Sequence, residues 1–174
     1  MLQERPGVFE LRVTNEGQLM HHLWSQGDYE ISTDPARIDA VIVHEFLTNS
    51  YWAKGIPAET VRLSIENSIP FGVYHGQQQV GFARIISDRA TFAYLADVFI
   101  LPSHRGRGLS LWLMECIVSH PDLQGLRRWM LATQDAHGLY ARFGFTPLKS
   151  PGSWMEIHRP DVYARTVREA VPKR

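Results

Sequence analysis

The sequence lacks three features that would direct it to particular protein classes. It has one cysteine, Cys116, so no internal disulfide can form and a reducing compartment is expected. It has no run of about 18 apolar residues that could span a bilayer. Its N-terminus carries Gln3, Glu4 and Pro6 where a secretion signal needs an apolar core. We therefore predict a soluble, cytoplasmic protein with no membrane partner.

An excess of charge of one sign is also missing. The chain has 18 Lys and Arg residues against 18 Asp and Glu residues, so its formal net charge is zero. With no basic excess and no long basic face, nucleic acid is not a predicted partner. The eight histidines show neither a His-x-x-x-His spacing nor a Cys/His cluster, so we predict no metal site. The glycine-rich nucleotide fingerprints are absent too, which argues against a nucleotide-binding protein.

Length and composition fit one globular domain. The chain has 174 residues, of which 44% are hydrophobic and 21% are charged, enough to bury a substantial core. We find no internal repeat, linker or low-complexity segment. We therefore predict a single domain over residues 1–174, in which 1–25 form an N-terminal extension and 159–174 a C-terminal tail.

Hydrophobic periodicity and turn residues predict alternating strands and helices. Asp34-Pro35 is typical of a capped helix start, and apolar residues at helical spacing predict a helix over 35–48. Further helices are predicted at 57–66, 107–119 and 135–143. The predicted strands are 29–32, 71–75, 79–86, 91–101, 128–133, 145–148 and 153–158. Residues 8–13 are a short strand or an ordered arm, 15–26 receive no assignment, and His21 and His22 are expected at the surface.

This order of elements predicts the fold class. Strands outnumber helices, and hairpins precede one strand–helix–strand unit built on 91–101. We predict an α/β (α+β) fold with a mixed, mainly antiparallel central sheet of about six or seven strands, flanked by helices on both faces.

The most informative stretch is 94–110, which is typical of a buried strand, a short basic loop and the start of a helix. Gly106 and Gly108 lie where the loop becomes the helix. A helix N-terminus presents unpaired N–H groups and partial positive charge, and glycines let a ligand approach closely. Arg105 and Arg107 add charge-assisted donors for phosphate oxygens. These features predict a loop that binds a pyrophosphate.

The residues from Arg105 to Ser110 resemble Arg-x-x-Gly-x-(Gly/Ala), the acetyl-coenzyme A signature of the GNAT superfamily of N-acetyltransferases. Ser110 stands where the family has Gly or Ala. The resemblance extends over about 29–158 and implies acetyl-CoA as cosubstrate. It implies that the amides of Gly106, Gly108 and Ser110 hold the pyrophosphate beside the two arginines. The alternative is an ordinary basic turn between a strand and a helix.

A second segment, 133–145, resembles the family motif Asn-x-x-Ala-x-x-x-Tyr-x-x-x-Gly-Phe. Tyr140 occupies the tyrosine position, which implies the general acid that protonates the departing CoA thiolate. A phenol with an ordinary pKa of about 10 is protonated at neutral pH. Thr133 stands where the family has an asparagine that contacts the cofactor. The alternative for Tyr140 is a core-facing aromatic, because it lies in an apolar stripe.

The resemblance also implies that strand 91–101 splays away from strand 128–133. The backbone groups of Val98 and Ile100 then pair with the pantetheine arm of the cofactor. The N–H of Val98 is the implied donor to the oxyanion.

Asp97 has two open interpretations, because an unpaired charge in mid-strand is costly. It is either the base or the contact of the substrate ammonium, or it is a structural carboxylate paired with an arginine such as Arg84. Strand alternation predicts that Asp97 shares a face with Leu95 and Phe99, opposite Val98. Other candidates for the base are His44, Tyr74 and a water chain.

In the resemblance, the acceptor amine lies near the first two helices and their connection. Here that connection carries Tyr51 and Trp52, and large aromatics are costly to expose unless they pack or bind something. An amine near Trp52 would gain roughly 0.5–2 kcal/mol of cation–π attraction. The predicted substrate-binding residues are His44, Tyr51, Trp52 and Tyr74. The alternative is that the two loop aromatics cap the core.

The leading hypothesis is an acetyl-CoA-dependent N-acetyltransferase that acts on a primary amine of a small molecule or peptide by direct attack. The alternative is a non-catalytic acyl-CoA-binding sensor or regulatory domain. The presence of Tyr140 and Asp97 favours the enzyme. The resemblance also allows a homodimer, with the segment around Trp154 as its interface.

Overall fold

The computed structural model describes residues 8–12 and 21–163. In that part of the chain, seven strands lie side by side in chain order. Every neighbouring pair is antiparallel except the last, which is parallel. This confirms the predicted mixed, mainly antiparallel sheet. The strands are β1 (Val8–Arg12), β2 (His21–Gln26), β3 (Tyr29–Ser32), β4 (Ile69–His75), β5 (Gln78–Ser87), β6 (Phe92–Ile100) and β7 (Arg128–Met130).

The prediction of strands at 145–148 and 153–158 is wrong, because neither segment forms a strand. Proline lacks the N–H that a sheet ladder needs, and Pro147 and Pro151 interrupt this part of the chain. The sheet is extended at its opposite edge instead, by β1 and β2. Met155 and Ile157 stay 98% and 88% exposed.

The expectation for His22 is also wrong. It lies on β2, is 3% exposed, and packs edge-on against the equally buried His120 with 4.5 Å between ring centroids. His21 lies at the start of the strand and is partly exposed.

In the described part of the chain, four α-helices accompany the sheet: α1 (Ala40–Leu47), α2 (Ala58–Glu66), α3 (Leu109–Val118) and α4 (His137–Ala141). The helix predicted over 35–48 is divided. Asp34 caps a 3-10 turn over Pro35–Arg37, and Asp39 then caps α1 by accepting from the N–H groups of Val41 and Ile42. The second cap restarts the helix five residues later than predicted.

Helices cover both faces of the sheet, as predicted. On one face, α3 and α4 bury side chains that include Leu113, Met114 and Tyr140. On the other, Val43 of α1 and Val61 of α2 pack over Phe82. Cys116 lies in the α3 core, where burial raises the pKa of its thiol. None of the described helices has the length and apolar character required to cross a membrane.

The regular alternation predicted along β6 is wrong at Asp97. Phe82 pairs with Phe99 while Arg84 pairs with Ala96, so β6 carries one extra residue at a bulge. Asp97 has a φ of 55°, in the left-handed region. In consequence Leu95 belongs to the core under α3 and α4, whereas Phe99 belongs to the core under α1 and α2.

Candidate active site

The site is an opening between β6 and β7. β7 pairs with Phe92, Ala93 and Tyr94 of β6, and no other described segment pairs with the second half of β6 on that side. The N–H of Leu101 donates to the carbonyl of Val80 on β5. Alternation along the strand therefore turns the N–H groups of Ile100 and Val98 toward the open edge. Two of the predicted cofactor-binding residues thus offer backbone donors at this edge.

The loop that follows β6 presents further free donors. Gly106 and Gly108 have φ values of 73° and 78°, a conformation that glycine adopts without strain. Gly108 caps α3 with no side-chain acceptor, and among the described residues the N–H groups of Gly106, Gly108 and Ser110 have no hydrogen-bond acceptor. The start of α3 can therefore receive an anion.

The two arginines of this loop differ in their contacts. The Nε of Arg105 donates to the carbonyl of Ile100 at 2.9 Å, which ties the loop to the end of β6. Arg107 is exposed beside the helix start. The guanidinium groups therefore lie at the loop, although one N–H of Arg105 is used within the protein.

A contact that no sequence pattern indicated holds the loop from the other side. Tyr29 Oη and His104 Nδ1 are 3.0 Å apart, and His75 lies against both rings. Burial, with His75 and Arg107 nearby, lowers the pKa of His104, so its imidazole is neutral at pH 7. The phenol and the imidazole therefore share a hydrogen bond whose direction depends on the imidazole tautomer. The two residues are 75 positions apart, so spacing could not reveal the pair.

Tyr140 lies on α4 with its ring in the core and 8% of its surface exposed. Burial raises the pKa of its phenol to about 12, with smaller contributions from Tyr51 and Asp135. In the described part of the chain, no partner holds its hydroxyl by a hydrogen bond. Tyr140 is thus both core-facing and a phenol that stays protonated.

Thr133, in the segment between β7 and α4, uses its hydroxyl within the protein. Its Oγ1 accepts from the N–H of Ala136 at 3.1 Å, which shapes the approach to α4. The same short segment contains Gln134, whose N–H donates to Tyr51 Oη at 3.2 Å.

The loop between α1 and α2 reaches the opening from its other side. Tyr51 and Trp52 are 51% and 42% exposed and contact each other edge-on at 4.9 Å. The bond from Gln134 to Tyr51 joins this loop to the segment after β7, across the opening. The two aromatics therefore line the opening and do not serve only as a cap on the core.

Asp97 lies beneath these aromatics and has both carboxylate oxygens engaged. Arg84 Nε donates to Oδ2 at 2.5 Å, and Trp52 Nε1 donates to Oδ1 at 3.1 Å. The side chains of Asp97 and Arg84 are 9% and 16% exposed, so the ion pair is largely shielded from water. The arginine partner is the one that the structural interpretation named. The bond to Trp52 had no signal in the sequence.

His44 and Tyr74, the other predicted substrate-binding residues, hold neighbouring backbone. His44 Nε2 donates to the carbonyl of Ile56 at 3.0 Å. Tyr74 is 3% exposed, and its hydroxyl donates to the carbonyl of Arg37 at 2.9 Å. Burial raises the pKa of the Tyr74 phenol well above its usual value.

The described residues include an anion-binding helix start, the unpaired strand edge that precedes it in the chain, and a protonated phenol on α4 whose pKa is also raised by Tyr51. These groups can hold a phosphate-bearing ligand, donate to an oxyanion and protonate a leaving group. Within residues 8–12 and 21–163, no group of three or more His, Cys, Asp and Glu side chains is placed to hold a metal ion.

Comparison with known proteins gives a consistent result. A model of the "Acetyltransferase (GNAT) family" matches residues 21–145. The curated "Putative acetyltransferase FG08082" of Gibberella zeae is 34% identical over 142 residues, which cover 68% of this chain and 79% of that protein.

Solved structures agree with the family match. The crystal structure of a GNAT-family protein of Xanthomonas campestris pv. campestris, xcc2953, is 53% identical with a TM-score of 0.77, covering 78% of this chain and 96% of that one. A "predicted acetyltransferase with acetyl-CoA" from Clostridium acetobutylicum has a TM-score of 0.54 over 75% of this chain and 94% of its own. At 15% identity, that likeness concerns the fold alone.

Proposed function

This chain belongs to the GNAT family of acetyltransferases, and on that premise we propose that it transfers the acetyl group of acetyl-CoA to a primary amine of a small molecule or peptide. The observation that carries the proposal is the presence of three groups that acetyl transfer requires. These are the free amides at the start of α3, the unpaired edge of β6 and the protonated phenol of Tyr140.

The cofactor site is the loop from Arg105 to Ser110 with the adjoining edge of β6. The amides of Gly106, Gly108 and Ser110 bind the pyrophosphate, because they have no acceptor among the described residues and lie at the positive end of a helix. The pantetheine arm lies along Val98 and Ile100. The match to the GNAT family model over residues 21–145 supports this choice of cosubstrate.

The chemical step is direct attack of the neutral amine on the thioester carbon. The new C–N bond forms while the carbonyl oxygen becomes an oxyanion, which accepts from the N–H of Val98. The C–S bond then breaks, the sulfur takes the proton of Tyr140, and the amine nitrogen releases a proton to water. Water returns a proton to Tyr140.

The acceptor binds beside Tyr51 and Trp52. Their exposed rings border the opening and offer an apolar surface with cation–π capacity. We give His44 and Tyr74 a supporting role, since their polar atoms are bonded to the backbone of Ile56 and Arg37. An amine that carries an apolar or aromatic group fits this surface best.

Calorimetric titration with acetyl-CoA, with magnesium-free ATP as control, tests the proposal. We expect binding of acetyl-CoA at micromolar concentration and none of ATP. A panel of amines is then assayed for release of free CoA. Binding of acetyl-CoA without acetylation of any amine would favour the acyl-CoA-binding sensor, and absence of binding would refute both functions.

We also propose a homodimer formed through the segment 153–158. Met155 and Ile157 are almost fully exposed, and a second copy would remove them from water. Sedimentation of Met155→Glu should give a monomer where the unchanged chain gives a dimer. A monomeric unchanged chain would refute this assembly. Metal independence and a cytoplasmic location stay predictions.

A further inference from the structure

Asp97 has an uncommon backbone conformation for its position. Among the residues that the structure describes, Asp97 and Arg89 are the two non-glycine residues with positive φ. Arg89 lies in a turn, whereas Asp97 lies in the middle of β6. A left-handed residue costs about 1–2 kcal/mol, so the surrounding contacts must hold it in place.

Two donors hold the side chain of Asp97. The charged guanidinium of Arg84 bonds to Oδ2, and the indole N–H of Trp52 bonds to Oδ1. A base must bring a carboxylate oxygen to the attacking nitrogen. Here both oxygens already receive N–H groups, one from a residue of β5 and one from the acceptor loop. This arrangement suits an anchor better than a proton acceptor.

The bulge at Asp97 also determines the direction of the residue after it. Asp97 and Val98 together lie opposite Ala83, so the side chain of Val98 packs toward α3 and α4. Its N–H faces the open edge toward β7. Asp97 therefore connects the loop that borders the acceptor with the amide that faces the thioester.

We propose that Asp97 is a positioning residue: through Oδ1 its side chain ties Trp52, at the acceptor side, to the bulge that precedes the Val98 N–H. The inference rests on the proposed acetyl transfer. Its consequence is that the acceptor loop and the oxyanion donor move together, so an acceptor that contacts Trp52 also affects the geometry at Val98.

Kinetics of Asp97→Asn separate this role from that of a base. Asparagine tolerates the left-handed conformation and keeps one acceptor. We expect kcat to fall less than about tenfold, the amine KM to rise, and the kcat–pH profile to keep its shape. A base would lose roughly 10²–10⁴-fold in kcat, with a changed profile, and that result would overturn the proposal. Arg89→Asn changes the other left-handed residue, away from the site, and should leave the kinetics unchanged.

A double-mutant cycle tests the link to Trp52. Trp52→Phe keeps an aromatic ring and removes the indole N–H. If Asp97 acts through Trp52, the double variant raises the amine KM no further than the larger single effect. If the fold-increases of the two single variants in amine KM multiply in the double variant, the link between Asp97 and Trp52 is contradicted.

NMR provides a readout that needs no turnover. The chain has five tryptophans, and the indole N–H signal of Trp52 is the one lost in Trp52→Phe. In Asp97→Asn bound to acetyl-CoA this signal should move while the other four stay; an unmoved signal would refute the anchor. Should Asp97→Asn fail to fold, Trp52→Phe must shift the Val98 amide, and an unshifted amide would refute the coupling. If the unchanged chain acetylates no amine, the proposed function is refuted. The signals of the Trp52 indole N–H and the Val98 amide can still be measured in that case, and they still test the anchor.

Discussion

The proposed cofactor side and the proposed acceptor side of the opening consist of different groups. The cofactor side consists mainly of backbone: two left-handed glycines, the uncapped start of α3 and the free edge of β6. The acceptor side consists of side chains, with Trp52, Asp97 and Arg84 drawn from a loop and two strands.

This difference explains what each side can vary. A backbone site needs only a few residues close together in the chain, so its geometry persists through many changes elsewhere. A side-chain site depends on residues far apart in the chain, such as Trp52 and Asp97, which are 45 positions apart. Substrate choice can therefore change at the acceptor side while the cofactor side stays the same.

The largest expected effect is that of Tyr140→Phe. Loss of the phenol removes the proton donor, so kcat should fall by roughly 10²–10⁴-fold. The affinity for acetyl-CoA should stay nearly unchanged, because the loop at α3 is intact. Steady-state kinetics and calorimetric titration check the two parts. Unchanged turnover across pH would remove Tyr140 from the mechanism.

Gly108→Glu should weaken acetyl-CoA binding by about 10²-fold or more. The variant forces a side chain into a φ of 78° and brings a carboxylate to the pyrophosphate. Gly125→Glu is the matched control, since Gly125 has a φ of 72° and equally open space but lies outside the loop. Calorimetric titration of both variants measures the difference. Equal losses would show that backbone strain, and not the anion site, is responsible.

Two tyrosine variants test whether the cofactor side and the acceptor side affect separate constants. Tyr29→Phe removes the bond to His104 and should weaken acetyl-CoA binding about 2–10-fold, with little change in the amine KM. Tyr51→Phe removes the acceptor of the Gln134 N–H. It should raise the amine KM, with little change in acetyl-CoA binding. Calorimetric titration gives the affinity for acetyl-CoA, and steady-state kinetics give the amine KM, for each variant. Variants that change the same constant would mean that the two sides are not separate.

The smallest expected effect concerns pH. The general acid must be protonated to act, and burial raises the pKa of Tyr140 from 10 to about 12. The phenol is therefore protonated throughout the range below pH 10.5, and kcat should show no descending limb there. The kcat–pH profile of the unchanged enzyme tests this. A fall in kcat centred near pH 10 would indicate a phenol with an ordinary pKa.

The sequence predicted those parts of the molecule that depend on local pattern. The loop from Arg105 to Ser110 is local, as are the helices over 57–66 and 107–119. The bulge at Asp97 was missed because it depends on how β6 pairs with β5, which strand alternation does not contain. The strands expected at 145–148 and 153–158 did not form, since alternation cannot tell whether a neighbouring strand is available.

The side-chain partners at the site were the least predictable. Arg84 could be named because a charge inside a strand requires a partner. Trp52 and Tyr51 could be named as aromatics in a loop, but their partners Asp97 and Gln134 lie far along the chain. Only the folded topology brings them within hydrogen-bond distance.

The burial of Cys116 has a practical consequence for assays. It is the one thiol of the chain, it lies in the core under α3, and burial raises its pKa, so little reactive thiolate is present. A thiol-reactive chromogen added to the native enzyme would therefore report the CoA that is released, with little background from the protein. Turnover can be followed continuously, without replacing the cysteine.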